Sequence, residues 1–459
     1  MPNNPLMTRR FLIGSMTSIL TLAACGQVNY TAPQADLSTA FVGNSPARRA
    51  GSNAWWAAFR DTQLDRLVAM GLARNLDVLS AVSTIREAQA NAQLVRANDL
   101  PQADAQAAAG RSRDASGVIE TSSATLGVSW LADLFGQNRA ARQGASARLD
   151  AAYLSSEVAR LTVASAIATA YVDARYYQES QSLTRQSLES RRRSLNMTRS
   201  QDELGSASRL EVLQAEQLVA QAEAILPAYE VGFDQSVNRL ATLTASRSTD
   251  IVALLRKGGG QPRARYSASV GVPADVIRVR PDVRMAERLL AAAVADVGQA
   301  QADFYPRLTL SGSVTPTNIS GGGSTKTWGF GPQISVPLFS GGANEARLSA
   351  AQARAEQARL AWQSSVLNAV EEVENALAGY NRDARAVAAQ SRLVENSRET
   401  VGLTRDSYEL GEADFFLVLD AERNLLSARQ DLAASVRQQA LNFVALSAAA
   451  AGGVGIAAS

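Results

Sequence analysis

The strongest constraint on this chain is that it repeats itself. Thr198-Arg199, Glu203-Leu204-Gly205, Ala207, Val212-Leu213 and Ala215-Glu216 return about 206 residues later as Thr404-Arg405, Glu409-Leu410-Gly411, Ala413, Val418-Leu419 and Ala421-Glu422. Two structural halves follow, residues 25–246 and 276–459, with 247–275 inserted between them. Within each half a long proline-free run carries small or apolar residues at steps of three and four. Ala152, Ser156, Ala159, Val163, Ala166, Ala170, Ala174 and Tyr177 mark the first run. Leu348, Ala351, Ala355, Ala358, Trp362, Ser365 and Ala369 mark the second. This is coiled-coil spacing, and it predicts long helices over 137–203 and 341–409. At 1.5 Å per residue each reaches on the order of 100 Å. Alanine and serine fill the seams, so helices can approach closely in broad sheets of neighbours; a solid coiled-coil rod fits the same spacing. Gly205 and Gly411 lack Cβ and can take the left-handed conformation that ends one helix and lets the chain return. They predict hairpin tips, at Leu204, Gly205 and Ser206 and at Leu410, Gly411 and Glu412, with return helices over 206–246 and 412–449.

Just before each long helix lies a pair of segments with a period of two, predicting strands near 101–114, 121–135, 306–315 and 326–339. Leu308, Leu310, Gly312 and Val314 alternate with Arg307, Thr309, Ser311 and Ser313. Trp328, Phe330, Ile334, Val336 and Leu338 alternate with Gly329, Gly331, Gln333, Ser335 and Pro337, and Leu126, Val128 and Trp130 with Thr125, Gly127 and Ser129. In Gln102 to Ala109 the apolar face is only alanine. Ser112 to Ser123 and Thr315 to Lys326 are rich in Gly, Ser and Thr and read as surface loops. Membrane strands need only about 9 to 11 residues. Four strands cannot close a barrel, and an open edge in lipid leaves backbone groups unsatisfied, so a membrane sheet requires oligomerisation. A trimer is the natural closure, although strand count alone admits a dimer, and a soluble β-hairpin packed on helices has the same alternation.

Arg9 and Arg10 precede the apolar stretch Phe11 to Ala24, which is shorter than the roughly 20 residues a membrane helix needs and reads as a secretory signal, residues 1–24. It ends in Leu22-Ala23-Ala24-Cys25, small residues before the only cysteine, as lipoprotein processing requires. Cys25 is then the expected lipidation site, carrying diacylglycerol on its thiol and an acyl chain on its amine; more than one chain gives stable anchoring. Gly26 follows it rather than an aspartate, which in the lipoprotein classes this signal resembles permits onward sorting to the outer membrane. Of 45 basic and 43 acidic residues, the signal holds Arg9, Arg10 and no acid, leaving 43 of each. That balance argues against nucleic acid as a partner. With no histidine and no other cysteine, the mature chain lacks disulfides, imidazole or thiolate metal sites and imidazole-based catalysis, so no enzyme activity, cofactor or metal is expected.

The chain resembles the TolC-like outer-membrane efflux proteins, in particular the OprM or NodT type of lipoprotein that works with resistance-nodulation-division pumps. The marks are Trp55-Trp56 with Phe59-Arg60-Asp61 and Leu64, Asn75-Leu76-Asp77, and Ser129-Trp130-Leu131-Ala132-Asp133-Leu134-Phe135-Gly136. They continue with Arg280-Pro281-Asp282, Ala302-Asp303-Phe304-Tyr305-Pro306, and Pro337-Leu338-Phe339-Ser340-Gly341-Gly342. The resemblance implies a mainly α fold with membrane β. Three copies would form a homotrimeric twelve-stranded β-barrel, four strands per chain, continuous with a long periplasmic α-helical barrel. A mixed equatorial domain would draw on 248–275 and both termini. Gly258-Gly259-Gly260 fits such an insertion and, without a following Lys-Ser/Thr, not a phosphate loop. The partners implied are a periplasmic adaptor that docks on the hairpin tips, an inner-membrane pump and outer-membrane lipid. By match to the family's Leu-Asp-Ala-Gln-Arg pattern, Leu419-Asp420-Ala421-Glu422-Arg423 places Asp420 in the lumen as a carboxylate ring, with Phe416 narrowing the aperture. Tyr408 and Arg423 would hold a closed state through interhelical bonds. Gln214 stands where the second tip has Asp420, so one ring is expected. The channel reading competes with two others, a periplasmic coiled-coil spacer lipoprotein and an outer-membrane channel for type I protein secretion.

Overall fold

The computed structural model describes residues 30–34, 54–114, 117–256, 259–263 and 277–450. The predicted signal, Cys25 and residues 257–258 and 264–275 of the insertion lie outside them. In chain order, a 3-10 turn at Trp55–Phe59 is followed by α1 (Thr62–Arg74), α2 (Leu76–Ala97), β1 (Gln102–Asp114) and β2 (Gly117–Ala132). Next come α3 (Gln137–Glu203), α4 (Arg209–Leu243), α5 (Ser248–Leu255) and α6 (Pro281–Ala302). The chain closes with β3 (Arg307–Ile319), β4 (Gly323–Ser335), α7 (Ala343–Glu409) and α8 (Phe415–Ala449).

The repeat is exact for the two long helices and the two return helices. Each boundary recurs 206 residues later: Gln137 at Ala343, Glu203 at Glu409, Arg209 at Phe415 and Leu243 at Ala449. Every seam position named above is buried or half-buried, from Ala152 to Tyr177 and from Leu348 to Ala369. Small side chains at these positions allow the close packing that stabilises helices of 67 residues.

The chain divides into two compact units, and the long helices run through both. The first unit takes in residues 83–155 and 282–365 and holds a single antiparallel sheet in the order β1-β2-β3-β4. The strands run further than their side-chain alternation predicts. β1 continues to Asp114 and β2 begins at Gly117, while Ser320 to Gly322 alone separate β3 from β4. Ladder hydrogen bonds join backbones and do not need an apolar side chain, so the Ser- and Thr-rich stretches read as loops are mostly paired strand. Val336 and Leu338, expected on the apolar face of the last strand, fall beyond its end at Ser335.

Asp303 organises the junction between strands and helices in this unit. Its carboxylate accepts from Gln137 at 2.9 Å and Arg307 at 2.5 Å, and its carbonyl accepts from the Asn344 amide at 3.1 Å. Phe135 and Tyr305 stack beside it with ring centroids 5.0 Å apart.

The second unit, residues 36–82, 156–281 and 366–459, carries the main hydrophobic core among its described residues. Leu64, Leu67, Ile167, Leu240, Ile251 and Leu255 are fully enclosed there, and Phe443 meets Trp55, Phe59 and Tyr380 edge-on or tilted. Thr62–Ala97 is long and apolar enough to cross a membrane by length and composition. Asn75, at ψ 133°, breaks it into α1 and α2. Its side chain caps α2 by accepting from Asp77 N–H and donates to the Leu243 carbonyl, so α1 is a core helix.

Arg175, 2% exposed, is held within this core by hydrogen bonds to Tyr171 and Gln63 and to the Leu255 carbonyl at the end of α5. A buried guanidinium is tolerable only when its donors are satisfied. Burial and the neighbouring Asp61 push the Tyr171 phenol well above its usual range, so it stays a neutral partner.

Candidate functional site: an apolar sheet face and two helical tips

Register places the apolar residues of the sheet in continuous rows. Leu126 faces Val314, which faces Trp328; Val128, Gly312 and Phe330 form the next row, then Trp130, Leu310 and Pro332, then Ala132, Leu308 and Ile334. β1 adds Ala103 and Ala105 to the same face. The other face presents Asp104, Gln106, Thr125, Ser129, Ser311, Ser313 and Gln333, with the Thr125 and Thr315 hydroxyls 3.0 Å apart.

The apolar face is uncovered: Trp328 is 70%, Phe330 84% and Ile334 68% exposed. A contiguous apolar patch of this kind is rare on a water-soluble monomer. Apolar out and polar in, at period two, is the pattern of a membrane barrel wall. Among the described residues the outer edges of β1 and β4 have no neighbouring strand, so the wall they form is open.

The two helical hairpins of the second unit turn identically. Gly205 and Gly411 adopt φ of 75° and 78°. At the first, Ser206 N–H donates to the Gln201 carbonyl at 2.8 Å and Gly205 N–H to Asp202 at 2.9 Å; at the second, Glu412 donates to Ser407 at 2.9 Å and Gly411 to Tyr408 at 3.0 Å. These paired bonds satisfy helix-end carbonyls in a Schellman motif. Each return helix is then capped, α4 by Ser208 with Glu211 in a capping box and α8 by Asp414. Leu204 and Leu410 stand out at the tips, 83% and 74% exposed, beside exposed Ser206 and Glu412.

Around the second tip the expected gate residues take distinct places. The Tyr408 hydroxyl donates to Gln201 of α3 at 2.7 Å, an interhelical bond, and its ring packs against Phe415. Burial pushes its phenol above the usual value. Phe416 is exposed while Phe415 is buried. Asp420 is held on its own helix, by ion pairing with Arg423 and by Asn424 at 3.0 Å. Within the single chain Arg423 makes an intrahelical i,i+3 pair. Asp420 also lines a groove of about 480 Å³ between α7 and α8, with Thr404, Leu417 and Asp431.

A charged cluster escaped the sequence reading. Glu422, its side chain 6% exposed, pairs with Arg405 of α7 and accepts from Ser190 of α3 at 3.3 Å. Arg191 lies near it, donating to the Leu218 carbonyl at 2.7 Å, and burial lowers its pKa. The repeat itself carries the signal: Arg199 and Glu216 of the first tip are ion-paired at 2.7 Å, and Arg405 and Glu422 are their copies 206 residues on. Folding the chain back at each glycine would have paired them. Among the described residues, no group of His, Cys, Asp and Glu is arranged to hold a metal ion.

Residues 67–246 and 272–452 match the family described as outer membrane efflux protein. Nodulation protein T of Rhizobium leguminosarum bv. viciae is 39% identical over 407 residues, 87% of this chain and 84% of its own length. The antibiotic efflux pump outer membrane protein ArpC of Pseudomonas putida is 31% identical over 474 aligned residues, 97% of this chain and 96% of its own. In three dimensions the outer-membrane channel OprN superposes with a TM-score of 0.85 at 29% identity, covering 93% of this chain and 98% of that one. All four strands and both helical hairpins fall inside the matched segments, and the chain belongs to the outer membrane efflux protein family.

Proposed function

We propose that three copies of this chain close a twelve-stranded barrel in the outer membrane and form the passive outlet of a tripartite efflux system. Drugs or other small molecules enter it from an inner-membrane resistance-nodulation-division pump through a periplasmic adaptor. The observation that carries this reading is the four-stranded sheet with one face apolar and exposed and, among the described residues, both edges unpaired.

In lipid each edge must find a partner, and a ring of copies joins β4 of one chain to β1 of the next. Two copies would make eight strands, whose interior is just filled by side chains. Three leave a lumen, lined by the polar face. The family relationship supports the same reading, since ArpC is an efflux-pump component and OprN an outer-membrane channel.

In this reading the exposed tips, Leu204 to Ser206 and Leu410 to Glu412, meet the adaptor. Asp420, Phe416, Arg423 and Tyr408 form the periplasmic gate. Three Asp420 carboxylates around one axis attract cations and repel one another, and the Arg423 pair moderates that repulsion. Cys25 carries the lipid that anchors the mature chain. Energy comes from the pump, and the channel performs no chemistry.

The test is the mass and negative-stain image of mature protein extracted from outer membranes in detergent. A trimer seen as a tube well over 100 Å long is expected from the helix lengths. A monomeric or dimeric rod, or release without detergent, overturns the channel in favour of a periplasmic spacer. Loss of palmitate labelling in Cys25→Ser checks the anchor.

A further inference from the structure

Where α2 runs into β1 and β2 into α3, the first unit contains a cavity of about 390 Å³ lined by Arg96, Arg139, Arg142, Gln143, Ser146 and Leu149. Three arginines, Arg96, Arg139 and Arg142, contribute to its lining. Arg142 is ion-paired with Asp99. The Asp133 carboxylate accepts from the Arg139 backbone N–H at 2.9 Å. Arg96 and Arg139 are exposed, and neither pairs with a carboxylate among the described residues. The first turn of α3 adds the positive end of a helix dipole beside them.

The cavity also adjoins the apolar face of the sheet. Trp130, on that face, donates its indole N–H to the Asp99 carbonyl at 2.8 Å, and Asp99 is the residue that holds Arg142. Tryptophan with its ring in apolar surroundings and its N–H satisfied at the edge marks the boundary of a bilayer. Leu94, Leu100 and Leu134 are 66%, 63% and 52% exposed at the same junction.

From this juxtaposition we propose that the arginine cavity binds the phosphate headgroup of an anionic phospholipid of the periplasmic leaflet, whose acyl chains lie along Trp130 and the neighbouring leucines. Arginine forks match phosphate oxygens two at a time, and the unpaired pair Arg96 and Arg139 supplies the counter-charge the headgroup needs. The inference rests on the reading above that the sheet lies in the membrane with its helices on the periplasmic side.

The experiment is native mass spectrometry of the intact protein released from nanodiscs of equal phosphatidylglycerol and phosphatidylcholine. Wild type should retain phosphatidylglycerol in preference. In Arg96→Gln/Arg139→Gln its apparent affinity should fall roughly 25-fold, about fivefold for each arginine near a phosphate, with phosphatidylcholine retention unchanged. Arg111→Gln, on β1 near its far end, should behave as wild type.

Equal retention of both lipids, or an unchanged double variant, overturns the proposal. Displacement of the lipid by excess inorganic phosphate alone identifies a free-anion site instead. Loss of the trimer in the double variant assigns the arginines to a subunit contact. Failure of wild-type protein to enter nanodiscs as a trimer overturns the channel reading itself, so the two failures are distinct.

Discussion

At the first helical tip, Arg199 and Glu216 pair with their side chains 52% and 33% exposed; at the second, Arg405 and Glu422 repeat the pair with Glu422 only 6% exposed. The backbones are copies, down to the left-handed glycine and its two hydrogen bonds. What differs is the surroundings. The first pair sits in water, where an ion pair contributes little. In the second the Glu422 carboxylate is enclosed against Ser190 of α3 while Arg405 stays 46% exposed, so removing the arginine strands a buried charge. The second tip further has Asp420 with Arg423 where the first has Gln214 and Gln217. Duplication supplied two equal hairpins, and a handful of side chains made one of them the charged, interlocked member.

Four measurements break or sharpen that contrast. The largest effect is expected in ion conductance of the reconstituted channel. Asp420→Ala and Arg423→Ala should each raise it severalfold by loosening the mouth, while Gln214→Ala and Gln217→Ala leave it alone; unchanged conductance in both charged variants removes the gate assignment.

Arg405→Ala comes next. It should cost the second hairpin about 2 to 3 kcal/mol by leaving the Glu422 carboxylate unpaired, read as faster amide exchange in α8, whereas Arg199→Ala should leave exchange in α4 unaltered. Equal effects would erase the distinction between the tips.

Gly205→Ala and Gly411→Ala test the other side of the comparison. Both force alanine into the left-handed region, so each should lower local stability by about 1 to 2 kcal/mol and by the same amount; unequal losses would show that the turns are not equivalent.

Smallest is Tyr408→Phe, which removes the 2.7 Å bond to Gln201 and should cost about 1 kcal/mol. Because burial raises the Tyr408 phenol pKa in the folded chain, its contribution is intact below the unfolded value near pH 10 and is lost as pH climbs through the raised one. Amide protection factors at the second tip, corrected for the intrinsic base catalysis of exchange, should therefore be flat across neutral pH and fall in alkali in wild type but not in the phenylalanine variant.

Much of this was legible because it is written in periodicity. Seams of alanine at three and four, rows of apolar residues at two, and a 206-residue echo predict long helices, strands and hairpins without reference to neighbours. Strand ends were less legible. β2 starts at Gly117 and β3 reaches Ile319 through residues whose side chains alternate weakly, because partner backbones, not side chains, extend a ladder. The family pattern groups Tyr408, Phe416, Asp420 and Arg423 at the second tip, and the structure adds that Arg423 pairs with Asp420 on its own helix, a contact set by the i,i+3 geometry of α8. Arg175 and Glu422 could not be recognised as buried, since nothing local distinguishes an enclosed charge from a solvated one.

The sequence by itself determined the two-fold internal design, the helix lengths, the glycine tips and the two-faced strands, since each depends on local conformational preference and on which residues recur at a fixed step. Tertiary structure alone decided that β2 and β3, from different halves of the chain, lie side by side, that Asp303 ties strands to helices, and that the carboxylate of one of two repeated ion pairs is buried. Those facts depend on which surfaces meet across nearly 200 residues of chain, and proximity of that kind leaves no periodic trace.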